Sequence, residues 1–249
     1  MTTETRQVED VDVRSAVREV FGTVSTGWDQ LISRDPAFAA AAIAYLRSAH
    51  QADALPPAIR ELLLVAHDVS MTTLDAAAVE ERMVLALEAG ASAADVLEVI
   101  QLLTALSTHG LASGLTEILG PGEQPASHQG PYWDTFESHF PGLHGAMADQ
   151  LPEYFDAYRR LNRAVWRRDG LAPQWKELVF VVANLSTNHL FVPGARLHAA
   201  NALRYGATPT QVAQAIALTV VPVARSIDVG LPALERALAR VASGVSPAK

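Results

Sequence analysis

The chain has 249 residues, 49% of them hydrophobic and 18% charged, with a formal net charge of −8. That composition is globular and core-rich, which excludes disordered, collagen-like and mucin-like classes, and no basic stripe exists to displace counterions from a nucleic acid. Cysteine is absent, so disulfides, thiolate nucleophiles, zinc–thiolate sites and iron–sulfur clusters are excluded together.

Ala and Leu dominate, and no run alternates with period two for more than a few residues, so an all-α fold is expected. The opening MTTETRQVEDVDVR is polar and acidic, without the apolar stretch of a signal peptide. Apolar helical runs are interrupted by Arg, Glu or Asp before the roughly 20 residues a membrane span needs. A cytoplasmic protein with no membrane or nucleic-acid partner is the expectation.

In chain order, residues 1–34 read as an N-terminal helical extension and 35–119 as a first helical unit. Within it, helices are expected over 36–51, over 58–72 after Leu55-Pro56-Pro57, and over 76–89, closed by Gly90 at C′. Ser92-x-x-Asp95 is a capping box opening the next helix. Residues 120–150 form a linker with an aromatic segment, beginning with the Gly- and Pro-rich Gly120–Trp133. A second unit spans 151–240, with helices over 152–168, over 174–187 after Leu171-Ala172-Pro173, and over 194–205, closed by Gly206. Thr208-x-x-Gln211, with Pro209 at the first helical position, repeats the capping box, and 241–249 is a tail.

The two units are related by sequence. A shift of 116 residues aligns Leu55–Ile100 with Leu171–Ile216 without a gap, and 13 of 46 positions are identical. An 80-residue helical unit, apolar on most sides, cannot hide its own surface, so the units are expected to pack as a pseudo-symmetric pair and to form homo-oligomers.

Chemistry is expected where the copies differ. Glu61 and Glu177 hold the same register inside apolar helices. Copy two carries His189 in the loop Asn188–Gly194 and His198 on the following helix, where copy one has Arg82. Copy one in turn has His109 where copy two has Arg225. Each has a structural reading: Glu61 as a buried ion-pairing acid, His67 as a structural or surface residue, Arg225 paired with Asp228 one turn on, and Trp133, Trp166 and Trp175 as core or interface anchors. No metal is expected, because no HxxxH or HxxE pair occurs among the candidates, and no dinucleotide, phosphate-loop or GxSxG motif is present.

The block of Arg/Lys-Glu-Leu, a short loop, a His-bearing helix and Ala-Leu-x-x-Gly-Ala-Ser/Thr resembles the carboxymuconolactone decarboxylase family, which includes alkyl hydroperoxidase D-like proteins. The loop Asn188-His189-Leu190-Phe191-Val192-Pro193-Gly194 is similar to loops of its tandem members. The resemblance implies two tandem all-α units and excludes the thiol peroxidase branch, since Phe191 and Gly194 stand at the two cysteine positions. It leaves an acid–base pair without a nucleophile.

The expected function is a cofactor-independent, carboxymuconolactone decarboxylase-like lyase acting on a small carboxylate or lactone. His198 would be the general acid, Glu177 its orienting group or the base, and His189 a hydrogen-bond donor to substrate, with His109 and Arg225 binding substrate. Because the net charge opposes anions, His189 or Arg225 would have to attract the carboxylate locally. The alternatives are a non-catalytic ligand-binding or assembly protein on the same fold, an isomerase or lactone-opening enzyme and, more remotely, a cofactor-free oxygenase.

Overall fold

The computed structural model describes residues 12–51, 53–123, 130–166 and 169–243. The expectations for residues 1–11, 124–129 and 244–249, which include parts of the extension, linker and tail, lie outside the described residues. The chain is all-α. Helices α1 (Val13–Phe21), α2 (Thr26–Arg34), α3 (Pro36–His50), α4 (Pro57–Val69), α5 (Ala76–Glu88), α6 (Ala93–Ala105) and α7 (His109–Leu119) come first. They are followed by α8 (Pro131–His139), α9 (Leu143–Gln150), α10 (Pro152–Val165), α11 (Pro173–Asn184), α12 (Val192–Arg204), α13 (Pro209–Leu218) and α14 (Arg225–Ala242).

Contacts divide the chain into two compact units, one of Met1–Ala52 with Val220–Lys249 and the other Asp53–Thr219. In the first, Ala16, Val17 and Val20 of α1, Trp28 of α2 and Ile43 of α3 form the core. Helices α2 and α14 cross closely at Gly27, where a Cβ would lie 2.6 Å from the Ile227 carbonyl oxygen. Ser25, the N-cap of α2, donates its hydroxyl to Asp228, and Arg34 pairs with Glu235.

The second unit is built around α4 and α11, which pack on each other and are buried along Leu62–Ala66 and Leu178–Ala183. Each begins with Pro, whose missing N–H is one of the unsatisfied donors of a first turn anyway. Helix α5 packs on α4 and α12 on α11. Positions 116 residues apart take matching conformations. Gly90 and Gly206 have φ of 98° and 100°, and both capping boxes form, at Ser92/Asp95 and Thr208/Gln211. The correspondence includes Leu74 and Leu190, non-glycine residues at φ 43° and 50°. It extends to polar contacts, because Gln214 accepts from the Leu55 amide at 2.8 Å and Glu98 from the Leu171 amide at 2.5 Å.

Three features differ from the sequence reading. Helices α4 and α11 end at Val69 and Asn184, before the expected 72 and 187, because the loop takes over the terminal groups. The Asn184 carbonyl, for example, accepts the Phe191 amide at 2.7 Å. The aromatic part of the expected linker is helical, as α8 and α9, and supplies Phe136, Leu143 and Met147 to a cluster with Phe155 and Leu197. Two stretches, Ala93–Leu119 and Pro209–Ala242, are long and apolar enough to cross a membrane by length and composition, contrary to the sequence expectation. Each contains a 3-10 turn, at Leu106–Thr108 and Val221–Ala224, and each contributes core residues, Val99 and Leu102 in one and Ala215 and Leu218 in the other.

Glu98 also meets Lys176, whose ammonium lies 2.5 Å from the carboxylate and 3.2 Å from the Val165 carbonyl, with both side chains almost wholly enclosed. Removing one member of a buried pair leaves the other charge without compensation, at a cost of roughly 3–5 kcal/mol. Chemical denaturation of Glu98→Ala is expected to show a loss of about this size. Glu98→Gln, which keeps an acceptor for the Leu171 amide as Gln214 does for Leu55, is expected to lose less.

Candidate functional site

The central helices carry their carboxylates inside. Glu177 of α11 is 2% exposed, and burying a carboxylate without a partner is costly, so what faces it decides its chemistry. One Oε of Glu177 lies 2.7 Å from Nδ1 of His198 on α12. The imidazole also stacks on Phe180, with ring centroids 4.5 Å apart, which fixes its plane. In the 116-residue register Glu61 is likewise buried, and its partners are guanidiniums: Arg82 at 3.4 Å and Arg60 at 3.1 Å. Arg82 also lies 3.9 Å from Asp68, which contacts His67 at 3.0 Å. Glu61 and His67 are thus part of a buried ionic cluster, the structural role the sequence allowed them.

Glu177 and His198 line a cavity of about 70 Å³, together with His109, Asn162 and Asn201. Its apolar wall includes Phe136, Phe140, Phe191 and Trp166, so Trp166 faces the cavity as well as packing on Phe180. Among the described residues lining it there is neither Arg nor Lys.

His189 is placed differently from the sequence reading. It does not line this cavity but reaches it through His109, whose Nδ1 is 2.7 Å from Nε2 of His189, with the two rings stacked at 4.8 Å. Phe191 closes on His109 from another side, at 4.5 Å between centroids. Residues His109 and His189, 80 positions apart, meet because the 3-10 turn before α7 and the loop before α12 converge. Arg225, expected to bind substrate, opens α14 in the other compact unit and lines neither this cavity nor the larger one beyond His109.

Sequence reasoning missed three features. Phe180 is legible only as an apolar residue of a core helix. Asn201, one turn from His198, carries no motif. His144 is fully enclosed beside Phe136, 3.8 Å between centroids, and Trp133 at 4.8 Å, with Glu137 3.5 Å away; nothing in sequence links it to the cavity wall behind which it lies. Among the described residues, no group of three or more His, Asp or Glu is arranged to hold a metal ion.

Burial, together with the neighbouring His189 and His198, lowers the pKa of His109 from 6.5 to about 4. His109 is therefore neutral at pH 7, and its hydrogen bond with His189 couples the tautomers of the two rings. Between pH 6.5 and 4 the unfolded chain binds this proton while the folded one does not, so stability falls with falling pH across that window and His109 adds no further dependence below it. Imidazole ¹⁵N NMR is expected to show His109 uncharged at pH 5.5 and titrating near pH 4.

Residues 152–244 match the model of the carboxymuconolactone decarboxylase family. The fold is similar to a crystal structure from Burkholderia xenovorans LB400, provisionally named a gamma-carboxymuconolactone decarboxylase subunit, with a TM-score of 0.79 and 27% identity. The similarity covers 92% of this chain and 97% of that one. No functionally curated protein matches the chain.

Proposed function

Because residues 152–244 match the model of the carboxymuconolactone decarboxylase family, we propose that this chain is a cofactor-independent decarboxylase-like lyase acting on a small carboxylate or lactone. The observation that carries this reading is the Glu177–His198 pair at 2.7 Å on the wall of a largely apolar cavity.

The Glu177 carboxylate accepts the Nδ1 proton of His198 and so fixes the tautomer, leaving Nε2 as the atom that exchanges a proton with substrate. With a β-keto or vinylogous acid, the C–C bond to the carboxylate breaks, CO2 leaves, and the electron pair passes into an enolate. Protonated His198 then delivers the Nε2 proton to carbon, and solvent restores it. Neutral His109 hydrogen-bonds the developing enolate oxygen, with its tautomer set by His189. An apolar wall without Arg or Lys suits this chemistry, because a carboxylate held there is poorly solvated and sheds its charge as CO2 departs. Arg82, fixed to Glu61, has no part in the reaction.

A second reading is a non-catalytic ligand-binding protein, favoured by the small size of the cavity beside His198. Incubation with γ-carboxymuconolactone and several β-keto acids in deuterated water separates the two. The lyase reading expects CO2 release with one deuterium on the product carbon. His198→Ala is expected to reduce turnover by about 10²–10⁴-fold with little change in Tm, and Arg82→Ala to leave turnover intact in whatever protein folds. Release of no CO2 and uptake of no deuterium from any of these substrates would sink the lyase reading for them.

A further inference from the structure

On the other side of the His109–His189 pair lies a larger chamber of about 470 Å³, lined by α4, the loop after it, α6 and α7. Its volume falls in the range of small-molecule sites, roughly 300–1,000 Å³. The walls are Val69, Met71, Leu74, Ile100, Leu103 and Leu106. Met71 and Leu74 are 80% and 63% exposed there, and Ile100 is 37% exposed, an unusual concentration of apolar surface open to solvent.

The loop that carries this surface is held against its own preferences. Leu74 sits at φ 43°, a conformation that a glycine or asparagine would adopt with less strain. Such strain persists only where surrounding contacts impose it, and functional sites are where it concentrates. Ser70, Thr72 and Ser186 impose it here, through hydroxyl contacts of 3.0 and 3.1 Å, while Asn188 donates to the Thr72 carbonyl. These hydroxyls are spent on holding the loop.

The groups that remain to meet a ligand are the imidazoles of His109 and His189, side by side in the wall. Among the described lining residues there is no Arg, Lys, Asp or Glu. A carboxylate or phosphate against this wall would meet no counter-charge, whereas a carbonyl or ester oxygen needs only one donor. His109, neutral at pH 7, offers no cation either.

We propose that this chamber binds an uncharged apolar molecule bearing a single oxygen acceptor, such as a medium-chain ketone, ester or lactone, with that oxygen at the His109–His189 pair. The site is separate from the Glu177–His198 pair and does not depend on the lyase reading.

The test uses 2-nonanone and nonanoate as probes of equal chain length, with binding followed by ligand-observed NMR and by the imidazole resonances of the full-length protein at pH 7.5. Saturable binding of 2-nonanone, with shifts at His109 and His189, is expected, and nonanoate is expected to bind roughly tenfold more weakly or worse. Ile100→Trp, which fills the chamber from a partly exposed position, should weaken 2-nonanone binding by about tenfold or more. Thr104→Phe, also in the lining, serves if that variant does not fold. His189→Leu should weaken the ketone by about fivefold, and His198→Ala should leave its binding within about twofold, even if all turnover is lost. Absence of saturable 2-nonanone binding, equal binding of nonanoate, or full affinity in the chamber-filling variant would overturn the proposal.

Discussion

A carboxylate buried in the central helix of each half of the Asp53–Thr219 unit is the constraint around which that unit is arranged. Glu61 and Glu177 sit 3% and 2% exposed, in helices whose other faces are apolar, and each must find a cationic or hydrogen-bonding partner. The partner comes from the following helix, 21 residues on, in both halves. In one it is Arg82, whose guanidinium never loses its proton in the accessible pH range, and a second arginine reinforces it. In the other it is His198, whose imidazole Nδ1 lies 2.7 Å from the carboxylate. The same packing problem thus has two solutions, one with guanidiniums and one with an imidazole.

The surroundings of the second solution follow from what packs on α11 and α12. Phe180 lies under the His198 imidazole and Phe191 against His109, so each ring has an aromatic face beside its hydrogen-bond partner. The described cavity lining holds neither Arg nor Lys, and burial keeps His109 neutral at pH 7.

His109 occupies the wall between the small cavity and the larger chamber, and it is bound to His189. A ligand on either side acts on the same ring pair, whose tautomers are linked through a 2.7 Å contact. The loops that deliver His189 and the Leu74 wall share an unusual backbone conformation in the same register. Strain of this kind persists only where surrounding contacts impose it.

The features legible in the residues alone are local and periodic. The all-α class, the Pro-opened helices α4 and α11, the glycine C-caps at Gly90 and Gly206, and both capping boxes depend on residues within a few positions of one another. The partnership of Glu177 with His198 is what the family resemblance implies, and the 116-residue register adds only that Arg82 stands where His198 does. Pairings that join distant segments were decided only in three dimensions. His109 meets His189 across 80 residues, Lys176 meets Glu98 across 78, and His144 is enclosed by rings from α8 and α10, none of which any spacing announces. The reason is physical: helix caps and amphipathic periods are energies of nearest neighbours along the chain, whereas the partner of a buried polar group is chosen by how the helices pack.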